Sequence, residues 1–313
     1  MPASDTPVPA RAQTADGVDI AVHDLGGSGP LLVLAHATGL HAMVWAPMAA
    51  HLGDAFQGHA FQGHAFQGAA FHCVALDERG HGDSGVPPNG EFDWRGFALD
   101  ILAAGDALGL GAHQALGLGH SSGGTAMLLA EQARPGTFAA IYCFEPIVVA
   151  ADPPLGRDRG NWLAAGARRR RETFASRDEA LAHYAAKASF SSWDPEALAA
   201  YVDHGFDDLA DGTVALKCRR EDEALVYEMA SAHDGFAHMG EVRCPVLLAS
   251  GADTDAVGAS SVDVLARRLP AARTEVIPGV GHFGPLEDPA AVAASVRAFF
   301  RDLGSGDSGG ARW

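Results

Sequence analysis

The stretch Ala115 to Ala130, ALGLGHSSGGTAMLLA, holds the residue best placed by its neighbours to attack a carbonyl carbon. It begins apolar like a strand end, passes through four glycines and two serines, and continues as an apolar run that reads as a buried helix. Within it, Gly119-His120-Ser121-Ser122-Gly123 has the G-x-S-x-G form of a nucleophile elbow, where flanking glycines let strand and helix close tightly around a strained serine. Ser121 is the candidate nucleophile. Its place at a helix N-terminus adds free backbone N–H groups and a dipole that favour developing negative charge. Small residues also occur at such turns for packing alone, so the pentapeptide counts only with its partners. Gly117, Gly119 and Gly123 also approach the glycine fingerprint of dinucleotide-binding folds. That fingerprint normally opens its domain, and the acidic residue expected about 20 positions on is absent.

A serine hydroxyl is a weak nucleophile that needs a base, and the base needs an orienting acid. His282, in the glycine-flanked run Gly279-Val280-Gly281-His282-Phe283-Gly284, follows the last strand pattern and is the expected base. His36 and His81 precede the elbow in loops suited to structural hydrogen bonds. His120 adjoins Ser121, so its side chain should diverge from it. Two acids compete. Glu145 ends the strand after the elbow helix, 24 residues beyond Ser121, where a buried carboxylate beside a proline is costly without a partner. Asp255 follows the next core strand, in Gly251-Ala252-Asp253-Thr254-Asp255, and both can face the histidine.

The elements that must position these groups alternate along the chain. Strand patterns at Gly17 to His23, Leu31 to Ala35, Cys73 to Leu76, Phe138 to Phe144, Pro245 to Ser250 and Arg273 to Ile277 are interleaved with helical patterns, the last over Pro289 to Leu303. This predicts an α/β, doubly wound and mostly parallel sheet over 14–149 and 241–303, with disordered tails at 1–13 and 304–313. Residues 150–240 change character: charged, helical and without a clear strand, they read as a helical cap inserted between the sixth and seventh core strands. Arg168 to Arg171 read there as a solvated helix face. The aromatic residues Trp162, Phe190, Trp193 and Phe236 line a pocket or make up the cap's own core. The loop Asp77 to Ser84 carries polar groups expected to satisfy one another.

From Ala55 to Ala69 the pentapeptides AFQGH, AFQGH and AFQGA run in tandem, a period far below that of solenoid repeats, and read as a surface-loop expansion. Its histidines, His59 and His64, lack accompanying carboxylates or thiols and read as loop residues rather than metal ligands. The chain of 313 residues, 48% hydrophobic and 19% charged, has a globular composition with no run long enough to span a membrane. A net charge of -17 opposes nucleic acid and anionic membrane and suits a neutral small-molecule substrate. Without a basic start and apolar run at the N-terminus, a cytoplasmic location is expected. The four cysteines, Cys73, Cys143, Cys218 and Cys244, stand far apart and read as buried free thiols.

Taken together, HATG at His36, LDERGHGDS at Leu76, GHSSGG at Gly119, GADTD at Gly251 and GHFGPLEDP at Gly281 resemble the α/β-hydrolase superfamily, in its serine-nucleophile, capped branch. The resemblance covers roughly Gly17 to Leu303 and implies the α/β-hydrolase fold, Ser121 as nucleophile and His282 as base. It also implies an oxyanion hole from the backbone N–H groups of Thr38 and Ser122, although Ala37 stands where the family usually has glycine. Most members carry the acid at the Asp255 position, while CFEPI looks like the branch with a glutamate at Glu145. The preference falls on Glu145, with Asp255 as the alternative. The activity implied is hydrolysis of a small ester, thioester or lactone without metal or organic cofactor. Carbon–carbon bond hydrolysis and perhydrolysis share the same residues, and a ligand-binding protein on a hydrolase scaffold is the non-enzymatic alternative.

Overall fold

The computed structural model describes residues 10–53, 70–256 and 259–304. The chain enters through β1 (Arg11–Gln13), β2 (Asp19–Gly27) and β3 (Leu31–Ala35), then α1 (Ala46–Gly53) and β4 (His72–Leu76). Next come α2 (Trp94–Ala107), β5 (Ala115–His120), α3 (Ser122–Ala133) and β6 (Phe138–Phe144). The inserted segment follows, with α4 (Trp162–Ala167), β7 (Thr173–Phe174), α5 (Arg177–Ala185), α6 (Pro195–His204), β8 (Phe206–Asp208), β9 (Val214–Leu216) and α7 (Arg220–Met229). The core resumes as β10 (Val246–Gly251), α8 (Ala259–Ala266), β11 (Ala272–Ile277), the short α9 (Gly284–Glu287) and α10 (Pro289–Gly304).

Eight strands form one sheet in the order β1-β2-β4-β3-β5-β6-β10-β11. From β4 to β11 every neighbour is parallel, and β2 is antiparallel to both β1 and β4. The expected doubly wound, mostly parallel sheet is the one observed. In β3, Leu32 and Leu34 pack on one face and Val33 and Ala35 on the other, so the strand is buried on both sides and reads as an unbroken apolar run. The register pairs Ala35 with Leu76 and Gly119, His120 with Phe144, and Gly251 with Ile277. All these carboxyl ends therefore reach one edge of the sheet, and the loops that leave them meet there.

Three features depart from the sequence reading. Residues 11–13, assigned to a tail, form β1, whose Ala12 is buried and whose Arg11 donates to the Asp83 carbonyl at 2.8 Å. The inserted segment is not purely helical, since β7, β9 and β8 make an antiparallel sheet of strands too short to show a period. Arg168 to Arg171 are not a solvated helix face: α4 ends at Ala167, and Arg168 pairs with Glu221 and Glu228, Arg170 with Glu223, and Arg171 with Glu179. Glu221, Glu223 and Glu228 come from α7, more than 50 residues on, so no local pattern announces them.

The pentapeptide repeat, with His59 and His64, lies outside the described residues. Just beyond it, Phe71 is buried against Phe300, ring centroids 5.7 Å apart. All four cysteines are buried and free.

Candidate active site

Ser121 stands between the last residue of β5 and the first of α3 with φ 54° and ψ −116°, a strained conformation that surrounding bonds must hold. Its N–H donates to the Phe144 carbonyl at 2.9 Å, and its own carbonyl accepts from Thr125 N at 3.1 Å. The glycines on either side are required sterically. A Cβ at Gly119 would stand 2.5 Å from the Gly123 carbonyl oxygen, and one at Gly123 would stand 2.3 Å from that of Ala35. The tight turn read from the sequence is therefore present, and strand and helix touch backbone to backbone.

His282 leaves β11 on a loop tied down at three points. Gly281 N donates to Glu287 Oε2 at 2.5 Å, Gly284 N donates to the Gly281 carbonyl at 3.1 Å, and the His282 carbonyl accepts from His120 Nε2 at 2.8 Å. The ring then lies with Nε2 3.2 Å from Ser121 Oγ and Nδ1 2.6 Å from Glu145 Oε2. In this arrangement Nδ1–H donates to the carboxylate and Nε2 accepts from the serine hydroxyl.

Glu145 follows β6 at φ 45° and is completely buried. Its carboxylate also accepts from Gly251 N and from Thr254 Oγ1, each at 2.8 Å, so a buried acid that would be costly alone is fully hydrogen-bonded. Asp255 is not brought to His282. It is exposed on the turn after β10, and its neighbour Thr254 is the residue that reaches Glu145. Nothing in the sequence marks Thr254 for that role, nor the bond from His120 to the His282 carbonyl.

Thr38 lies in the loop after β3 and is 8% exposed, while Ser122 opens α3, so its N–H has no acceptor within the helix. Two neutral histidines shape that loop, as the sequence suggested. His36 accepts from Glu78 N at Nε2, 3.0 Å, and donates from Nδ1 to the Ala37 carbonyl, 2.9 Å. His81 accepts from Gly39 N at Nε2 and donates from Nδ1 to the Arg79 carbonyl, both 3.0 Å. Burial pushes the His36 imidazole down to about 3 and also lowers that of His81. His120 diverges from Ser121 as expected; burial, then the adjacent His282, hold its pKa well below the usual value.

The polar groups of the loop after β4 are bonded mostly to residues outside it rather than to one another. Asp77 accepts from Ala42 N at 2.6 Å, Asp83 N at 2.8 Å and His23 Nε2 at 2.9 Å. Although burial acts upward on it, the bond and charge of His23 keep its carboxyl below the ordinary range. Glu78 is the exception: both its oxygens are buried without a partner among the described residues, and burial raises its pKa well above normal. His23, Asp77 and Asp83 also bring three ligand-type atoms within 4.8 Å of one another. The Asp77 oxygens are already occupied, and Lys217 Nζ stands 2.5 Å from Asp83 Oδ1, so ion pairing and hydrogen bonding account for the cluster.

The inserted segment reaches over this edge of the sheet. Asp194 N donates to the Leu286 carbonyl at 2.7 Å, and Trp193 contacts Phe283 with ring centroids 5.2 Å apart. Of the aromatic residues singled out, Phe190 joins Trp193 at 4.7 Å, whereas Trp162 is 77% exposed. Phe236 lines a separate apolar cavity of about 360 Å³ beside Pro146 to Ala150. Another, of about 370 Å³ around His113, Pro135 and Pro245, opens at the amino ends of the strands, away from Ser121.

A model of the alpha/beta hydrolase family matches residues 32–295, which span this whole constellation up to α10. The chain belongs to the alpha/beta hydrolase family. Solved structures agree on the fold of this hydrolase. A peroxisomal alpha-beta-hydrolase from Saccharomyces cerevisiae is similar with a TM-score of 0.75 and 21% identity, over 96% of this chain and 86% of that one. E-2-(acetamidomethylene)succinate hydrolase gives a TM-score of 0.75 at 20% identity, over 93% and 98% of the two chains. A thermophilic esterase from Thermogutta terrifontis gives 0.69 at 21% identity, over 94% and 98%. No curated protein matches the chain in sequence. Among the described residues, no helix of this hydrolase is long and apolar enough to cross a membrane.

Proposed function

We propose that this α/β hydrolase is a serine hydrolase that cleaves a small ester, thioester or lactone through Ser121, His282 and Glu145. The observation that carries the reading is the unbroken chain of hydrogen bonds from Ser121 Oγ through His282 to Glu145, at 3.2 and 2.6 Å. His282 Nε2 takes the serine proton as Oγ attacks the carbonyl carbon, and Glu145 holds the ring and offsets the charge it gains. The N–H groups of Thr38 and Ser122 receive the oxyanion; one such donor is worth about 10²- to 10³-fold in turnover. His282 then gives its proton to the leaving group. Water activated by the same ring attacks the acyl-serine, and the acid leaves.

Residues 150–240 act as a cap over 14–149 and 241–303, with Trp193 standing beside the base loop. A substrate without net negative charge is favoured: the chain carries -17, and Arg170, the buried cation near the loop after β3, is already paired with Glu223.

The test is intact-mass analysis after treatment with a fluorophosphonate, on wild type and Ser121→Ala, beside a panel of chromogenic esters of increasing acyl length. Labelling that vanishes in the variant, together with turnover of at least one ester, is expected. A folded wild type that neither labels nor turns over any ester would overturn the reading.

A further inference from the structure

The inserted segment touches the loop after β3 through a buried ion pair. Arg170 and Glu223 have side chains only 15% and 7% exposed. Arg170 Nη1 donates to Glu223 Oε2, and Nη2 donates to the hydroxyl of Tyr201 and, at 3.2 Å, to that of Tyr184. The other Glu223 oxygen faces Gly39: a Cβ there would stand 2.8 Å from Oε1 and 3.4 Å from Arg170 Nη1. Gly39 directly follows Thr38 and turns at φ 79°, with its N–H held by His81. The turn is therefore gripped from the core side by His81 and filled from the other side by Glu223.

The same pair connects to the base. Tyr201 meets Trp193 with ring centroids 5.8 Å apart, Trp193 meets Phe283 at 5.2 Å, and Phe283 meets His282 at 5.3 Å. One run of contacts through the inserted segment thus joins the loop that carries the base to the loop that carries Thr38. Stability alone does not account for it, because a buried ion pair seldom outperforms apolar residues of the same volume. A guanidinium with several fixed donors does, however, define geometry.

We propose that Arg170, acting through Glu223, is a positioning residue that sets the Thr38–Gly39 turn, so that seating the inserted segment and aligning the oxyanion donor are one event. The proposal rests on the acyl-transfer reading above. A donor must stand about 2.7–3.1 Å from the developing oxyanion to act on it. Without Arg170, the Glu223 carboxylate is left unpaired against Gly39, and the turn shifts to relieve it.

The experiment compares wild type, Arg170→Met, Arg170→Lys and Tyr201→Phe on an ester that wild type turns over. It measures kcat, KM, and inhibition by a trifluoromethyl ketone of the same acyl group and by the product acid. Arg170→Met is expected to lower kcat about 10- to 100-fold and to weaken the ketone by a similar factor, since small misplacements of catalytic groups cost rate steeply. KM and product binding should stay within about threefold, the signature of an interaction made in the transition state. Arg170→Lys should recover part of the loss, and Tyr201→Phe should show a smaller loss with the same split. A folded Arg170→Met with a lower Tm but unchanged kcat would overturn the proposal, as would a raised KM with kcat intact. If Arg170→Met does not fold, the split in Arg170→Lys and Tyr201→Phe decides in the same way. A wild type that neither labels nor turns over esters would sink the acyl-transfer reading itself, and this inference with it.

Discussion

Glu145 Oε2 and His282 Nδ1 stand 2.6 Å apart although 137 positions separate them in the chain. The contact exists because β6 lies beside β10 and β10 beside β11, so the loops that leave β6 and β11 meet at the same edge of the sheet. Glu145→Gln keeps the volume but removes the charge that favours the protonated ring and its correct tautomer. Turnover is expected to fall by about 10³-fold or more, while Asp255→Asn stays within about twofold. Steady-state kinetics on purified variants with unchanged circular dichroism check the ranking, and the reverse order would transfer the acid role to Asp255.

The elbow makes a prediction about folding rather than chemistry. An alanine Cβ at Gly119 or Gly123 would press into backbone atoms at 2.5 or 2.3 Å, where no flexible side chain can yield. Each substitution should cost about 3 kcal/mol or more, or prevent folding, through overpacking and strain. Gly166→Ala, in α4 with nothing within 4 Å of the added carbon, should leave the protein folded. Urea unfolding of the three variants separates these outcomes.

His120 donates to the His282 carbonyl at 2.8 Å while its ring lies 5.8 Å from those of Phe144 and Phe283. His120→Phe keeps an aromatic ring there and removes the bond. Since a misplaced catalytic group loses rate steeply, kcat should drop about tenfold with little change in KM. Equal losses in the amount of folded protein and in total activity would mean that the bond supports the fold alone.

Acid should destabilise the protein through its buried neutral histidines. Burial is the first cause that lowers the imidazoles of His41 and His233 to about 4 and that of His36 to about 3, against an ordinary value of 6.5. A folded-state pKa below the unfolded one means that the unfolded chain takes up the proton more readily. The contribution is therefore fully present above pH 6.5 and is lost progressively as pH falls through 4 toward 3. Each such histidine contributes a slope of at most about 1.4 kcal/mol per pH unit. Thermal melts should fall steadily as pH drops below about 6.5, with a shallower fall in His233→Phe. A Tm unchanged between about pH 7 and 4 would contradict this account.

The sequence by itself determined most of the core elements and the turn at Ser121. Unbroken apolar runs specify strands buried on both faces, and G-x-S-x-G requires two close backbone approaches, so β3 to β6, β10 and the elbow at Ser121 were legible from local pattern. Glycines around His282 likewise marked a loop that brings a side chain to a crowded edge. Only the tertiary structure shows which of the two carboxylates stands beside His282 Nδ1, because strand order, not spacing, brings Glu145 there. Glu145 leaves β6 directly beside the end of β10, whereas Asp255 is carried past that edge to the surface. It also decided the fate of Arg168, Arg170 and Arg171, whose partners Glu179, Glu221, Glu223 and Glu228 come from α5 and α7. A charge in a sequence has no partner until folding supplies one, and here folding set Arg170 and Glu223 against the turn beside Thr38.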